Sequence, residues 1–296
     1  MNQKYIFRLK YIIYYFIHIF TDKVFLNLSR LKIASDEETI NEIISRKVSI
    51  SRFGDGEFRL MQGYDTGFQT ANPRICALLK EILKSNNNNH MVGIPYAWKK
   101  QLRFKYSAFE YWGAYLLDNL EHLMCYFDTS IHYYSSTFTR FYIDYRSDSN
   151  AKIIVPLIKR IWNKKRICII EGKESRLGVG NDFFADASNI KRIICPSINA
   201  FDVYDKIIDS VEYETNEDLY IIALGMTATC LAYDLAKRGY WAIDLGHADI
   251  EYEWFLRKSK NKEPIAGKFV AESKNDLLNE KIDLSEYNSQ IIKIIE

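Results

Sequence analysis

Two carboxylates stand one residue apart in the segment Ser51-Arg52-Phe53-Gly54-Asp55-Gly56-Glu57. Carboxylates at positions i and i+2 of a turn can converge on one Mg²⁺ or Mn²⁺ ion, because these hard cations prefer oxygen ligands and substrate phosphates. Gly54 lets the backbone approach a ligand closely, and Arg52 offers a planar fork for a phosphate. A solvated turn would carry the same triplet. The segment is therefore a candidate metal and phosphate site, with Asp55 and Glu57 as the ligands.

Four further loops rich in small, polar or charged residues follow apolar runs in the second half of the chain. Because parallel strands present their carboxyl ends at one edge of a sheet, we expect these loops to share one ligand site. The candidate phosphate- or nucleotide-contacting residues of the first three loops are Arg176, Gly178, Gly180, Asn181, Asp182, Pro196, Ser197, Asn199, Gly225 and Thr227.

Gly225 and Thr227 lie where a predicted strand passes into a predicted helix. The exposed backbone N–H groups and the dipole of a helix start favour a phosphate. An ordinary strand-to-helix turn with Thr227 as its N-cap would have the same residues. The neighbouring loops favour the phosphate interpretation.

Gly178 and Gly180 resemble half of a dinucleotide-binding fingerprint. The third glycine is missing, because Phe183 occupies its position, and no strand directly precedes Gly178, so the pattern is a poor predictor of NAD binding. We interpret it as a flexible loop beside a nucleotide, with Arg176 reaching a phosphate or a carboxylate.

The fourth loop contains His247, Asp249, Glu251 and Glu253 within seven residues. A histidine near carboxylates can exchange protons with a substrate or hold a phosphate when protonated, and Asp249 or Glu251 could deprotonate a hydroxyl acceptor. The alternative is that Glu251 and Glu253 stabilise the start of a helix. A zincin site is excluded because the His-x-x-x-His spacing is absent.

Arg140 and Asp144 are spaced as an i, i+4 ion pair of a helix, which is the simpler interpretation. They could also line an acceptor groove together with aromatic residues such as Tyr142.

These candidate residues require a scaffold, and the apolar runs predict an α/β fold. Continuously apolar segments near 167–170, 192–195, 219–224 and 241–245 alternate with helical patterns. This alternation predicts a Rossmann-like, mostly parallel sheet with helices on both faces.

The 296 residues include 40 Lys and Arg against 38 Asp and Glu, so nucleic-acid binding is not indicated. The five cysteines form no Cys-x-x-Cys pair, which favours buried reduced thiols in a cytoplasmic protein. Residues 1–30 form a basic, aromatic extension, and the remainder, 31–296, is expected to be a single catalytic domain. The extension predicts an interfacial helix on the anionic inner face of the cell membrane, although a helix docked on the domain is the alternative.

The motifs taken together resemble the GT-D glycosyltransferases, formerly the domain of unknown function DUF1792. The resemblance covers about residues 45–257 in order and includes the Asp-Gly-Glu segment, Thr139–Asp144 and the four loops. It implies a metal-dependent transferase that moves a glucose-like hexose from a UDP-sugar donor to a hydroxyl of a surface glycan or glycoprotein acceptor. The metal motif of the family maps onto Asp55 and Glu57, with Mn²⁺ or Mg²⁺ as the ion.

Two other function classes remain open. An NAD-dependent oxidoreductase could use the same sheet and would bind NAD(H) tightly. A non-catalytic carbohydrate-binding or membrane adaptor could have kept the fold, although such a protein has no need of the acids in the Asp-Gly-Glu and His-Ala-Asp-Ile-Glu segments.

Overall fold

The computed structural model describes residues 28–99, 103–270 and 283–296. The membrane-contacting helix predicted for residues 1–30 lies almost entirely outside the described residues. Within the described ranges, no helix is long and apolar enough to cross a bilayer.

The described strands form one nine-stranded sheet in the order β1-β4-β3-β2-β8-β7-β5-β6-β9. Every pairing between neighbours is parallel, as predicted. The strands are β1 Lys32–Ile33, β2 Ser49–Arg52, β3 His90–Ile94, β4 His132–Ser135, β5 Arg166–Gly172, β6 Asn189–Cys195, β7 Leu219–Ala223, β8 Ala242–Asp244 and β9 Ile291–Ile294.

Helices connect most of the strands and cover both faces of the sheet. Those of the described chain are α1 Asp36–Arg46, α2 Asp55–Met61, α3 Pro73–Leu83, α4 Tyr106–Met124, α5 Ser149–Lys159, α6 Tyr204–Glu214, α7 Met226–Lys237, α8 Ala248–Arg257 and α9 Ser285–Gln290.

Apolar residues on both faces of each central strand divide the core into two layers. In β5, Cys168 and Ile170 pack in one hydrophobic cluster, whereas Ile167 and Ile169 pack in the other. The first cluster includes residues of α3 and α7, and the second includes residues of α1 and α5. Because both faces of a strand are buried, its sequence is apolar without alternation.

The helix starts follow their local sequence signals. Ser35 and Glu38 form a capping box at α1, in which each side chain accepts a hydrogen bond from the other residue's backbone N–H. Asn72 caps α3 through the N–H of Ile75, and Pro73 occupies the first helical position.

The segment 126–146, which has mixed periodicity, contains a strand that the sequence pattern does not predict. β4 lies between β1 and β3, and the hydroxyls of Ser135, Thr137 and Tyr145 all donate to the buried carboxylate of Asp36. The polar residues that obscure the strand pattern therefore satisfy one buried acid.

Three of the cysteines, Cys168, Cys195 and Cys230, are buried free thiols as predicted, whereas Cys125 is exposed.

His90 begins β3 and is buried beside the ring of Tyr233. Its Nε2 atom lies 2.8 Å from the Ser51 hydroxyl, which donates its own proton to the Thr229 carbonyl at 2.5 Å. Nε2 must therefore carry the hydrogen. Burial lowers the pKa of His90 to about 3.

This burial makes stability depend on pH. An unfolded histidine titrates near ~6.5, above the folded pKa of His90. As the pH falls below that value, the unfolded state binds a proton that the folded state excludes. The free energy of unfolding should then fall by an extra ~1.4 kcal/mol per pH unit, and this loss should continue down to the folded pKa.

Urea unfolding between pH 7 and pH 4 would measure this slope. His90→Gln should reduce this slope by about 1.4 kcal/mol per pH unit, because it removes the buried imidazole. Equal slopes in the wild type and in His90→Gln would contradict the assignment.

Candidate active site

A cavity of about 760 Å³ lies over the carboxyl ends of the strands. Its lining includes one residue or more from the loop after each of β2, β5, β6, β7 and β8. Representatives in that order are Gly54, Ser175, Ser197, Gly225 and His247. The loops that the sequence places at one edge of the sheet therefore meet around one space.

Asp55 and Glu57 line this cavity, but they belong to the first turn of α2 and not to a free turn. Gly54 is the extended N-cap residue, and its N–H donates to Glu57 Oε2 at 2.7 Å. The Glu57 carboxylate is therefore held back at the start of the helix, which begins with Asp55.

Asp55 lies beside Tyr111 of α4. The Tyr111 hydroxyl donates to Asp55 Oδ2 at 2.5 Å, and burial together with this carboxylate raises the pKa of the phenol. No other hydrogen bond joins the Asp55 carboxylate to the part of the chain that the structure describes. Tyr111, which also lines the cavity, was missed because nothing in its local sequence marks it.

Glu57 is buried beneath the same surface, where a second acid lies near it. Burial, and then the negative charge of Asp244, raise the pKa of Glu57 to about 7. The hydrogen bond from Gly54 opposes that shift.

Asp244 at the end of β8 holds Arg52 in place. Its carboxylate accepts from Arg52 Nη2 at 2.8 Å and from the Arg52 backbone N–H at 3.2 Å, while Arg52 Nε donates to the Asp244 carbonyl at 2.7 Å. Arg52 Nη1 also donates to the Thr139 hydroxyl at 2.7 Å. Arg52 therefore lines the cavity but is largely committed to the protein, which limits its predicted role as a phosphate fork.

Asp244 itself was not singled out from the sequence. The only signal is an acid inside the apolar run Trp241–Leu245, and such an acid has to be paired when it is buried. The Thr229 hydroxyl also lies beside this pair, 2.9 Å from the Arg52 carbonyl and 3.2 Å from Asp244 Oδ2.

The donor set at α2 suits a hard cation bound together with a substrate. Mg²⁺ is commonly held by one or two carboxylates plus phosphate oxygens, and Asp55 and Glu57 supply that number. Among the described residues, no group of three or more His, Cys, Asp or Glu side chains could hold a metal. The pair therefore fits an ion that is bound with a diphosphate, not one that is bound by protein ligands alone.

Of the predicted nucleotide-contacting residues after β6 and β7, Ser197 and Gly225 line the cavity, whereas Pro196, Asn199 and Thr227 do not. Asn199 instead accepts from the Thr70 N–H at 2.8 Å. Thr227 is buried. These residues shape the loops behind the wall of the cavity.

The segment 176–182 of the loop after β5, which was predicted to be a flexible loop beside a nucleotide, does not line the cavity, although Ser175 of the same loop does. Ring atoms of Phe184 lie 2.7 Å from where a Cβ of Gly178 would stand, which leaves no room for a side chain. Arg176 donates to the Gly267 carbonyl, and Asp182 accepts from the Tyr252 hydroxyl. None of Arg176, Gly178, Gly180, Asn181 and Asp182 lines the cavity.

The two acids predicted as general bases are buried in structural contacts. Asp249 accepts from Lys268 Nζ at 2.5 Å and from Asn181 Nδ2 at 2.8 Å. Glu251 accepts from the backbone N–H groups of Tyr142 and Ile143, both at 2.9 Å.

This placement corrects the base assignment for both acids, since neither lines the cavity. The sequence pattern did not reveal that Lys268, nineteen residues after Asp249, would pair with it. His247 is the one member of the predicted catalytic set among the lining residues of the described chain.

The predicted acceptor residues Arg140 and Asp144 both line the cavity. Tyr142 does not, because its hydroxyl donates to the Ser259 carbonyl at 3.1 Å. Lys105 and Trp112, which were not predicted, contribute to the same wall.

Comparison with known proteins gives consistent matches over most of the chain. The family model described as the glycosyltransferase GT-D fold matches residues 50–273. The glycosyltransferase GlyD of Streptococcus pneumoniae serotype 4 is 35% identical over 269 residues, which are 90% of this chain but only 33% of that protein. The chain thus spans about a third of this relative's length.

Two solved structures have the same fold. One, of the highly conserved domain of unknown function 1792 with a distinct glycosyltransferase fold, has a TM-score of 0.86 at 33% identity, covering 93% of this chain and 100% of the other. The second, described as a new glycosyltransferase (DUF1792) from Streptococcus sanguinis, has a TM-score of 0.83 at 32% identity, covering 90% and 100%.

The contact between Gly246 and Arg52 gives a test of the central ion pair. Gly246 has φ +52°, and a Cβ there would lie 2.0 Å from Arg52 Nη2. Gly246→Ala should displace Arg52 from Asp244 and lower the free energy of unfolding by ~2 kcal/mol beyond the backbone strain.

Gly239→Ala is the matched control, because Gly239 has φ +87° with open space around it. Urea unfolding of both variants separates the strain that they share from the contact with Arg52. Equal losses in the two variants would contradict the proposed dependence on Arg52.

Proposed function

The chain belongs to the glycosyltransferase family with the GT-D fold, and we propose that it transfers a glucose-like hexose from a UDP-sugar to a hydroxyl of a surface glycan or glycoprotein glycan. The observation that carries this proposal is the first turn of α2, where Asp55 and Glu57 line the same cavity as the start of α7. Carboxylates for a cation and a helix start for an anion together suit a metal-bound diphosphate.

The order of the strands suggests how the donor lies. The sheet places β7 two strands from β2, and β5 follows beyond β7. Phe68 and Phe269 line the cavity and make an edge-to-face contact at 6.0 Å. Residues of the loops after β5 and β7, Ser175 and Gly225, share this lining. We place the diphosphate near α2 and the uracil ring toward the two phenylalanines, which offer apolar faces.

Asp55 and Glu57 would hold Mn²⁺ or Mg²⁺ against the diphosphate. The ion, when bound, neutralises the charge that grows on the leaving UDP. Tyr111 keeps one oxygen of Asp55 fixed through its hydrogen bond, and the cap on Gly54 restrains Glu57. Arg52, through Asp244, fixes the strand end from which α2 starts.

The acceptor hydroxyl must lose a proton as it attacks the sugar. We assign the role of proton acceptor to His247, because it lines the cavity and a neutral imidazole can accept a proton near physiological pH. In the alternative role, His247 is protonated and stabilises a phosphate oxygen of the leaving group.

Neither competing function gains support from the cavity. An NAD site would need the Gly178 loop to face the ligand, and that loop is packed against Phe184. A non-catalytic adaptor would not require acids in its binding cavity, yet Asp55 and Glu57 both line it.

The metal assignment predicts that Asp55→Asn and Glu57→Gln each lower UDP-glucose turnover at least about 100-fold, because each removes an anionic ligand from the ion. EDTA should abolish wild-type turnover, and added Mn²⁺ should restore it. Release of UDP measures the reaction.

Asp182→Asn is the matched control, because this acid accepts from Tyr252 and Lys159 outside the cavity. It should retain turnover within about twofold, as expected for a surface change. Full activity of both α2 variants in the presence of chelator would remove the metal proposal.

The base assignment predicts different outcomes for His247→Gln and Asp249→Asn. His247→Gln should lower kcat by about 100-fold or more with an unchanged Tm, because it removes a proton acceptor without disturbing the core. Asp249→Asn should lower the free energy of unfolding by ~3 kcal/mol, because it leaves the buried Lys268 ammonium without its closest anion.

Thermal unfolding and turnover, measured on the same preparations, separate these effects. A normally stable Asp249→Asn variant that has lost its turnover would return the base role to Asp249.

A further inference from the structure

The charges that line the cavity are divided between two regions. Asp55 and Glu57 lie at α2, below the end of β2. A second group of lining residues, which we call the basic wall, consists of Lys105, Arg140, Lys260 and Lys262. These four cations face one lining acid of their own region, Asp144.

Contacts between distant segments hold the basic wall together. Lys105 Nζ donates to the Lys260 carbonyl at 3.1 Å, and Lys262 Nζ lies 3.2 Å from Asp144 Oδ1. Further along the chain, the buried ammonium of Lys268 pairs with Asp249 and anchors the end of this loop. These contacts hold the segments of the wall together, although Lys260 and Lys262 are themselves exposed.

Lys260 is the cation of this wall with the least compensation. The backbone carbonyl of Lys260 accepts a hydrogen bond from Lys105 Nζ. No hydrogen bond or ion pair joins the Lys260 ammonium to the described residues. Arg140 lies 3.7 Å from Glu251, whose other oxygen is occupied by two backbone N–H groups. The charge of the Lys260 ammonium is thus left for a ligand to balance.

An aromatic surface adjoins the basic wall. Tyr111 and Trp112 of α4 line the cavity, and their rings contact edge to face at 5.3 Å. Aromatic rings beside cations suit a sugar ring that carries a negative group, because the ring packs on the apolar face while the anion meets the cations.

We propose that the basic wall binds a phosphate or carboxylate carried by the acceptor, so that the acceptor is an anionic glycan. This inference rests on the proposed transferase function and names the chemical class of its acceptor. The attacking hydroxyl would lie beside the donor sugar while the anionic group is held at Lys260 and Arg140.

The proposed position of the donor leaves the basic wall available to another anion. We place the diphosphate at Asp55, Glu57 and the start of α7, which follow β2 and β7. The basic wall comes from other segments, since Arg140 follows β4, Lys105 precedes α4, and Lys260 and Lys262 follow α8. An anion on the acceptor is therefore the ligand that we assign to this wall.

The test measures sugar binding to the full chain saturated with UDP and Mg²⁺. The probes are methyl β-glucuronide and glucose 6-phosphate, which are anionic, and methyl β-glucoside, which is neutral, each followed by saturation-transfer NMR. In the wild type at low salt, at least one anionic sugar should bind about tenfold more tightly than the neutral one. The preference should weaken as the salt concentration rises.

Lys260→Glu should abolish this preference and leave the affinity for the neutral sugar and for UDP unchanged. Lys152→Glu is the matched control, since Lys152 is an exposed lysine of α5 outside the cavity. It should keep the wild-type preference.

The inference fails if the wild type binds all three sugars equally, or if Lys260→Glu keeps the preference. A parallel loss of UDP affinity in Lys260→Glu would assign the wall to the donor diphosphate and overturn the acceptor assignment. If the wild type does not bind UDP at all, the transferase proposal itself fails, and the acceptor inference fails with it.

Discussion

The ion pair between Arg52 and Asp244 is the interaction on which the active-site end of this sheet depends. The two residues are 192 positions apart in the chain and lie at the ends of neighbouring strands, β2 and β8. A buried carboxylate is stable only if it is paired, and Arg52 donates to both oxygens of Asp244 through its backbone N–H and its Nη2 atom.

The pair also fixes the starting point of α2. In the sheet, β3 and β4 lie on one side of β2, whereas β8 and the strands beyond it lie on the other side. In open α/β sheets the loops at the carboxyl ends of such strands leave room for a ligand. Asp55 and Glu57 reach the cavity because Arg52 and Asp244 hold this junction together.

A second buried cluster explains why acids that look catalytic in the sequence are structural. Lys268 pairs with Asp249 and Glu253, and Asn181 donates to both acids. Leaving any of these groups unpaired in the interior would be unfavourable. The same cluster anchors the segment that brings Lys260 and Phe269 to the cavity, so the acids contribute to the site by positioning its wall.

The sequence alone determined the class of fold and marked the Asp55 and Glu57 pair as a candidate site. Continuously apolar strands require a sheet buried on both faces, and Ser35, Asn72 and Pro73 start helices through contacts within a few residues. Only the tertiary structure decided which acids meet the cavity. Pairing with Lys268 removes Asp249, whereas the helix start at Gly54 brings both Asp55 and Glu57 to the cavity. Burial and ion pairing depend on partners far away in the chain, and local patterns contain no information about them.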